Sequence, residues 1–469
     1  MSSDSAGVRA SFDTTSKHPG GVARATLGSI ALVDDDGPTT DGAEPGPSTS
    51  TGRIRHLAID ITPLRVSRDY RRLWFGLLVS EIGYHFTVVA TFIQVFDLTG
   101  STAAVGLVGL FGIVAIVIGT LAGGAFIDAT DRRTTLLGTQ VGFALASGIL
   151  LAGASAGDPP VLLVYVAVAL IAAVSAIDSA VRHAITPRLV GRDLLPSALA
   201  LNQVVWNTTA LIGPAVAGVV IARFGLVWAY GFDVASYLLM FGVALTLHPV
   251  PPEPTDEPRV GLAAIARGFT YLRGRRVLQA AFGTDFVAMV FGMPRALFPI
   301  LAVTQFGRGP EVAGLLFAAP AVGAVLGALS GGWVKRVRHQ GQAVLWAVVV
   351  WGASIAAFGL VGSRLWLALL CLAVAGAADV VSAIFRGTIL QLSVPDALRG
   401  RISGINYLVV AGGPRVGDLE AGLVAAAFSP TVSVVSGGVL CIVGAGVISV
   451  LAPSLRRYTA GDPGPQALS

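Results

Sequence analysis

The sequence predicts an all-α integral membrane protein with twelve transmembrane helices, arranged as two pseudo-symmetric six-helix bundles. Three observations support this prediction: the chain is strongly apolar, it contains twelve apolar runs of membrane-spanning length, and one run is repeated in the second half. Of its 469 residues, 54% are hydrophobic and 13% are charged, and the mean hydropathy is +0.74. Soluble domains have about 25% charged residues, so the composition argues against a soluble protein and against a nucleic-acid-binding surface.

The apolar runs give the helix count directly. A helix needs about 20 predominantly apolar residues to cross the hydrocarbon core of a bilayer. The runs that meet this length are about 72–96, 105–127, 134–156, 161–182, 197–222, 226–247, 277–305, 311–333, 342–362, 366–391, 402–427 and 431–452.

An internal repeat divides these runs into two sets of six. Residues 105–124 align without a gap with residues 313–332, at an offset of 208, and eight of the twenty positions are identical. Each copy ends in Gly-Gly and is followed by a short charged loop, and the same offset pairs Pro187 with Pro395 in two short basic loops. Two similar membrane-embedded halves are typical of secondary transporters.

Composition also defines the segments outside the helices. Residues 1–56 are rich in Ser, Thr, Gly, Asp and Pro and contain no apolar signal segment, which predicts a disordered cytoplasmic tail. The first half covers 57–247, a linker covers 248–276, the second half covers 277–452, and a second cytoplasmic tail covers 453–469. Apolar residues recur at helical spacing in the linker, which predicts a short amphipathic helix on the membrane surface: Leu262, Ile265, Phe269 and Leu272.

Positively charged side chains are distributed unevenly between the two sides of this topology. With the N-terminus inside, the inner segments after residue 60 carry 20 Arg and Lys residues, whereas the outer loops carry three, at Arg223, Arg308 and Arg364. Cytoplasmic loops of membrane proteins carry the excess of Arg and Lys. We therefore expect a multi-pass protein of the cytoplasmic (inner) membrane with both chain ends in the cytoplasm.

The loop after the second predicted helix, GGAFIDATDRRTTLL, resembles the signature loop of the major facilitator superfamily. The matching positions are Gly124, Asp128, Arg132, Arg133 and Leu136. In that superfamily the loop latches the two halves together, so the resemblance implies a gating role for these residues. The sequence departs from the pattern at Ala129, where Arg is usual, and at Asp131, where Gly is usual, which implies a weaker latch.

The fifth predicted helix carries a second family feature, in the segment LIGPAVAGVV. Gly213, Pro214 and Gly218 resemble the Gly-Pro motif of facilitator exporters, although Thr209 and Ala217 replace two of its usual glycines. Proline bends a helix and glycine lets a partner helix approach the bend. The motif favours export over import; the alternative is an ordinary kinked packing helix.

Longer segments are similar to the bacterial branch of the superfamily that contains enterobactin exporters and drug-efflux proteins. They are residues 176–203, 211–239, 311–332 and 389–409, and the resemblance extends over about 70–456. It implies the major facilitator fold and a monomeric transporter that moves a small molecule by alternating access. It further implies that the proton gradient supplies the energy, with protons and the lipid bilayer as partners and no cofactor.

Ionisable side chains inside the predicted helices are the candidates for transport residues, because charges are costly in the bilayer core. Glu81 and His85 are four residues apart on the first helix and share a face. The resemblance implies that this helix lines the central cavity. Glu81 is therefore the principal candidate for carrying protons, with His85 tuning it; the alternative is a local structural bond between the two.

The second half contains comparable candidates. Asp285 in the seventh helix is at the type of position that corresponds by symmetry to the first-helix acid. Asp379 and Arg386 lie on one face of the tenth helix, seven residues apart, and are interpreted as pairing with another helix. Asp418 lies in the glycine-rich segment 412–422, which is interpreted either as a hinge with a polar lining or as a gate.

Two further groups of residues are weighed against structural roles. Asp178 and Arg182 are four residues apart at one end of the fourth helix and are interpreted as a structural or gating pair. Five aromatic residues are candidates for lining an apolar cavity, or for ordinary packing: Tyr84, Phe86, Trp206, Phe286 and Phe291.

These features predict a secondary active exporter of small amphipathic molecules, coupled to protons, with siderophore (enterobactin-like) export favoured. The main alternative is multidrug efflux of macrolide- or tetracycline-like compounds. A non-transporting membrane sensor or enzyme is a remote alternative, and an importer is disfavoured by the Gly-Pro motif. The sequence has no phosphate-binding G-x-x-x-x-G-K-[ST] loop and no His/Cys cluster with metal-ligand spacing, so neither ATP nor a bound metal is expected.

Overall fold

The computed structural model describes residues 60–251 and 270–459, in which every regular element is a helix. Ten helical segments in these stretches are long and apolar enough to span a bilayer. The predicted tail 1–56, the predicted amphipathic helix and the end of the C-terminal tail lie wholly or largely outside the described residues.

The first half contains six spanning helices. They are α1 (Arg68–Thr99), α2 (Thr102–Ala129), α3 (Arg132–Ala156), α4 and α5 (together Val161–Phe224) and α6 (Leu226–Leu245). Serine side chains cap the first two: Ser67 Oγ accepts from the Tyr70 amide at 3.2 Å, and Ser101 Oγ accepts from the Ala104 amide at 3.4 Å. Between α1 and α2, Gly100 has a φ of 61°, a conformation that favours glycine.

The segment Val161–Phe224 is two helices joined without a loop. Its 64 residues would form a rod about 96 Å long, several times the thickness of a bilayer core. The helix breaks at Gly191, whose φ of 74° and ψ of 172° are not helical. Pro187 therefore lies inside a helix, and the prediction of a short loop there is wrong, because the helical backbone continues to Gly191.

The second half repeats this arrangement. Its spanning helices are α7 (Arg276–Thr304), α8 (Pro310–Leu329), α9 (Gln340–Leu360), α10 (Leu365–Ser393), α11 (Asp396–Ala427) and α12 (Pro430–Leu451). The part of α11 that corresponds to the predicted run 402–427 contains three charged residues, so its apolar character alone does not mark it as spanning: Arg415, Asp418 and Glu420. With α4 and α5 counted separately and α11 added to the ten apolar segments, the predicted twelve helices are present.

Helix α7 is discontinuous, although the sequence predicts one uninterrupted run. It consists of Arg276–Phe291, a 3₁₀ turn at Arg295–Leu297 and a final helix, Phe298–Thr304. Pro294 has no backbone N–H to continue the helical ladder, and the backbone of Gly292 packs against the indole of Trp351. The break places Arg295 inside the spanning segment Arg276–Thr304.

The two halves contact each other at the first glycine that the two repeated segments have in common. A Cβ at Gly106 in α2 would lie 3.1 Å from the Gly422 Cα of α11, and one at Gly314 in α8 would lie 2.8 Å from the Gly218 Cα of α5. Both contacts lie near the membrane side that carries the α5–α6 and α7–α8 connections, here called the far face. The opposite side, which carries the linker, is called the linker face. Small residues are what allow the helix backbones to approach this closely.

A second pair of repeat glycines packs helices within each half. A Cβ at Gly119 would lie 2.8 Å from the Cα of Ala173 in α4, and one at Gly327 would lie 3.2 Å from the Cα of Ala377 in α10. The repeat therefore consists of the close helix contacts that build each bundle and join the two.

Candidate functional site

Three ionisable side chains form a buried cluster in the first half, here called the N-terminal triad: Glu81, Asp178 and Arg182. Arg182 Nη1 lies 2.7 Å from Glu81 Oε1 of α1, and its Nη2 pairs with Asp178 Oδ2 on its own helix. Asp178 also accepts hydrogen bonds from α3, from Thr139 Oγ1 at 2.8 Å and Gln140 Nε2 at 3.0 Å. The triad thus joins α1, α3 and α4.

An equivalent cluster lies in the second half, here called the C-terminal triad: Asp285, Asp379 and Arg386. Arg386 Nη2 lies 2.7 Å from Asp285 Oδ1 of α7 and 4.0 Å from Asp379 Oδ1 on its own helix. Arg386 Nη1 also donates to Ser382 Oγ at 3.2 Å. Arg386 therefore has an acidic partner on another helix, as its position in the sequence suggests.

The two triads are related by the internal symmetry. An offset of 204 residues relates Glu81 to Asp285 and Arg182 to Arg386. It differs by four residues from the offset of the α2 and α8 repeat, but it also relates the corresponding packing residues Ala173 of α4 and Ala377 of α10. By the same offset, Asp178 in the first half corresponds to Ser382 in the second. The second carboxyl group of the C-terminal triad therefore comes from a different position, Asp379. Each triad therefore contains two acids for one arginine. One carboxylate in each triad therefore has no cation of its own within the triad.

His85 does not pair with Glu81, whose partner is Arg182 instead. The His85 ring packs against α5, where a Cβ at Gly213 would lie 2.7 Å from the His85 Cβ. Among the residues that the structure describes, His85 Nε2 has no hydrogen-bond partner. The charged side chain that acts on it electrostatically is Arg295.

A small cavity of about 60 Å³ lies between the halves. Polar and charged side chains from both halves line part of its wall: Tyr84, Thr87, Thr91, Arg295, Arg415 and Asp418. Arg295 binds Asp418 through two hydrogen bonds, Nη2 to Oδ2 at 2.6 Å and Nε to Oδ1 at 3.4 Å. Arg415 Nη1 donates to the Ala411 carbonyl at 2.6 Å. With two arginines and one aspartate, the charged part of the wall is net positive.

The aromatic candidates are not gathered in this cavity. Of the five, Tyr84 lines it, whereas Phe86 is buried against Phe232 with ring centroids 4.8 Å apart. Trp206 and Phe286 are largely exposed on the surface of the bundle. Phe92, which the sequence did not single out, also lines the cavity. Helical spacing alone does not reveal which face of a spanning helix points inward when every face is apolar.

The signature loop begins α3 with an aspartate. Asp131 Oδ1 accepts hydrogen bonds from the amides of Arg133 at 2.9 Å and Thr134 at 3.2 Å, which is the geometry of a helix N-cap. Asp131, which stands where the family pattern usually has glycine, therefore caps the N-terminus of α3. Gly124 and Asp128 lie on α2 in a stretch whose side chains fall outside the description.

The two arginines of this loop bind the end of α6 and the start of the linker. Arg133 donates to the carbonyls of Ala244 at 3.1 Å and Leu245 at 2.6 Å, and Arg132 Nη1 donates to the Pro251 carbonyl at 2.8 Å. Cationic side chains at a helix C-terminus satisfy free carbonyls and oppose the helix dipole. In this structure they brace α3 against α6 within the first half.

The Gly-Pro motif of α5 lies in the contact between the halves. Gly213 packs against His85 of α1, while the Pro214 carbonyl and Gly218 both contact Gly314 of α8. Pro214 and Gly218 are thus part of the close contact between α5 and α8 near the far face.

Asp233 on α6 is a buried acid that is not among the transport residues predicted from the sequence. Its Oδ2 accepts hydrogen bonds from Thr87 Oγ1 of α1 at 2.5 Å and Ser147 Oγ of α3 at 2.7 Å. The available signal was its position in the middle of an apolar run, since acids are rare there.

Comparison with known proteins agrees with this architecture. The chain is 27% identical over 411 residues to the enterobactin exporter EntS of Citrobacter koseri, covering 87% of this chain and 97% of that protein. It is 27% identical over 410 residues to EntS of Salmonella typhi, covering 86% and 97%.

Solved structures share the fold at low sequence identity. A POT family transporter crystallised with 5-aminolevulinic acid superposes with a TM-score of 0.68 at 14% identity, covering 83% of this chain and 97% of that one. A bacterial homologue of the iron transporter ferroportin, in an inward-facing state, gives 0.61 at 14% identity, covering 83% and 98%. At this identity the likeness supports the fold alone.

The family assignment rests on a match to most of the chain. Residues 59–466 match the profile of the transmembrane secretion effector family, which is a family of major facilitator transporters and not of enzymes. The twelve helices and the two related halves agree with that match. The chain therefore belongs to the transmembrane secretion effector family of the major facilitator superfamily.

Proposed function

We propose that this protein is a proton-coupled exporter of small amphipathic molecules, with an enterobactin-like siderophore as the favoured substrate. The observation that supports the coupling is the pair of triads, each with two carboxyl groups around one arginine. The observation that favours export and this substrate is the similarity over most of the chain to proteins named as enterobactin exporters.

The coupling argument starts from the cost of unpaired charge. An ionised carboxylate without a cation is expensive in a membrane interior, and a proton removes that cost. In the N-terminal triad, Glu81 and Asp178 compete for one arginine. Protonation of Glu81 would free Arg182 to pair with Asp178 alone and would loosen α1 from α4. A proton bound on one side of the membrane and released on the other would thus be linked to helix movement.

The substrate argument starts from the cavity wall. The wall has a net positive charge, because it contains two arginines, Arg295 and Arg415, and one aspartate, Asp418. Tyr84 and Phe92 contribute aromatic surface to it. A catecholate combines aromatic rings with acidic hydroxyl groups, which suits a wall of this kind. At about 60 Å³ the cavity is far smaller than the pockets that bind drug-sized ligands. Loading would therefore require the halves to separate on one face.

The membrane orientation is part of the same proposal. The excess of Arg and Lys on the linker face supports a cytoplasmic location for that face and for both chain ends. The far face, where the glycine contacts are closed, would then face outward. We propose that the protein works as a monomer in the cytoplasmic membrane and opens toward the cytoplasm to load its substrate.

Transport into inside-out proteoliposomes under an imposed proton gradient tests the proposal. We expect gradient-driven uptake of a catecholate siderophore by the wild type, and loss of that uptake to the level of empty liposomes in Glu81→Gln. The matched control is Asp193→Asn, an exposed acid at the linker face. Uptake of several drugs but no siderophore would contradict siderophore export and would support multidrug efflux instead. Absence of gradient-driven uptake for every compound would contradict proton-coupled export.

Arg415 provides a test of substrate charge. Arg415→Gln is expected to raise the KM for an anionic catecholate by about 10-fold or more, since a hydrogen bond to a charged group contributes about 1.5–3 kcal/mol. The KM for a cationic drug should not rise. Arg223→Gln, at the exposed far end of α5, is the matched control. Equal effects on anionic and cationic compounds would show that Arg415 supports the structure and does not recognise charge.

A further inference from the structure

Asp233 is the most completely enclosed acid among the described residues of the first half. Its exposed fraction is 0%, and it lies on α6 where α1 and α3 cover it. Two hydroxyl groups, Thr87 Oγ1 and Ser147 Oγ, donate to a single carboxylate oxygen, Oδ2, at 2.5 and 2.7 Å. Within the described part of the chain, the other oxygen, Oδ1, has no hydrogen-bond partner.

No cation balances this carboxyl group among the described residues. The ionisable groups that face it are Glu81 from α1 and Tyr230 and Tyr237 on its own helix, and α3 presents the neutral Ser147. The nearby arginine, Arg182, is held by the two acids of the N-terminal triad. Burial of an ionised carboxylate in such surroundings is very costly, so the neutral, protonated acid is the form that fits this site.

Asp233 is also connected to the central cavity. Thr87 belongs to the cavity wall, and the same hydroxyl group donates to Asp233. Gly83, one turn earlier on α1, leaves space for the carboxyl group, since a Cβ there would lie 2.6 Å from Asp233 Oδ1. The Thr87 hydroxyl is therefore a one-residue bridge between an enclosed acid and the space through which a substrate would pass.

We propose that Asp233 is a second proton-binding group of the first half, which exchanges its proton with the central cavity through the Thr87 hydroxyl. The inference deepens, and rests on, the proposed proton-coupled transport. For the exchange, the Asp233 proton lies on Oδ2, and the Thr87 hydroxyl rotates so that it donates to a water molecule in the cavity instead of to Asp233. Thr87 then passes its hydroxyl proton to that water and takes the Asp233 proton in its place. Thr87 ends unchanged, Asp233 becomes a carboxylate, and the cavity water becomes hydronium; the reverse sequence reloads Asp233.

This role predicts effects that a purely structural clamp would not show. A clamp requires only the hydrogen bonds among α1, α3 and α6, and Asp233→Asn keeps the size and most of those bonds. A proton carrier requires the ionisable group itself. Thr87→Val removes the bridging hydroxyl with little change in shape, and Thr87→Ser restores a hydroxyl, so the two variants separate relay from packing.

Infrared spectroscopy of the purified full-length protein in lipid tests the inference without relying on transport. We expect a protonated-carboxyl band at neutral pH that persists in Glu81→Gln and disappears in Asp233→Asn. In D₂O this band shifts as the carboxyl proton is exchanged for deuterium. The rate of this exchange should fall at least about tenfold in Thr87→Val, as for removal of a proton-transfer group, and should be restored in Thr87→Ser. Thr304→Val, on the exposed end of α7, is the control. An unchanged band in Asp233→Asn, or unchanged exchange in Thr87→Val, would overturn the inference.

Transport measurements separate this inference from the function on which it rests. If the wild type moves substrate with the proton gradient, Asp233→Asn should lower the number of protons moved per substrate. An unchanged ratio would overturn the role of Asp233 and leave proton-coupled transport standing. Absence of gradient-driven transport in the wild type would overturn both the proposed function and the coupling role of Asp233.

Discussion

Replacing Gly314 by leucine is expected to reduce transport by about 5- to 150-fold while the protein still folds and inserts. The reason is a clash between the halves, because even a Cβ at Gly314 would lie 2.8 Å from the Gly218 Cα. Overpacking typically costs about 1–3 kcal/mol, and here the cost falls on the state in which the far face is closed. The equilibrium therefore shifts toward an open far face, and cycling slows.

Spin labels can report that shift directly. Cysteines at Arg223 and Arg308, exposed residues at the far face, would carry the labels in a background without the two native cysteines. Gly314→Leu should move the distance distribution to longer values. Gly446→Leu in α12 is the matched control, since a Cβ there meets no atom within 4 Å among the described residues. Normal transport together with an unchanged distribution in Gly314→Leu would contradict the predicted clash.

Replacing Arg386 by alanine is expected to destabilise the second half by about 3–5 kcal/mol. Arg386 is a buried partner of Asp285 at 2.7 Å and also lies 4.0 Å from Asp379. Its removal leaves two acids close together without a cation, in a membrane interior where neither is well solvated. Thermal unfolding of the purified protein should show a large loss of stability and poor recovery of folded protein.

The neutral combination Arg386→Gln with Asp285→Asn distinguishes charge from packing. Replacing both partners of a buried ion pair is far less damaging than removing one, so this double variant should recover most of the lost stability. It should not recover proton-coupled transport, because Asp285, one of the two acids of the C-terminal triad, can no longer bind or release a proton. The control is Arg364→Ala, an exposed arginine at the far face. Equal loss of stability in Arg386→Ala and Arg364→Ala would contradict a structural role for the ion pair.

Together these two predictions connect the glycine contacts with the triads. The glycines allow the far face to close, whereas the triads hold α1 to α4 and α7 to α10 within each half. Movement of the halves can therefore alter the closed face without breaking the bundles. A change in the protonation of either triad would act on the helices that carry the cavity wall.

The helices themselves were largely predictable. A membrane span depends on the length of an apolar run, which is a local property, and the predicted run 134–156 differs from α3, Arg132–Ala156, by two residues. Predictions failed where backbone geometry decided the outcome. The helix continued through Pro187 to Gly191, and α7 broke at Gly292–Pro294 although its apolar run is continuous.

The candidate residues were predictable as a set but not as pairs. Charged side chains are costly in the bilayer core, so Glu81, Asp285 and Arg386 can be recognised as candidates from their positions within apolar runs. The choice of Arg182 as the partner of Glu81, 101 residues away, depends on how α1 and α4 are rotated against each other. A four-residue spacing predicts a shared helix face for His85 and Glu81, but it contains no information about a neighbouring helix that competes for the acid.

By itself, then, the sequence determined the twelve apolar helices, the repeat that relates the two halves, the family and the group of acids and arginines within the membrane. Only the tertiary structure decided which of them meet: Glu81 with Arg182, Asp285 with Arg386, Gly106 with Gly422, and Asp233 with Thr87 and the cavity. The physical reason is that apolar length and charge are properties of one segment. Ion pairs and close contacts depend on the rotation, tilt and packing of helices that are distant in the chain.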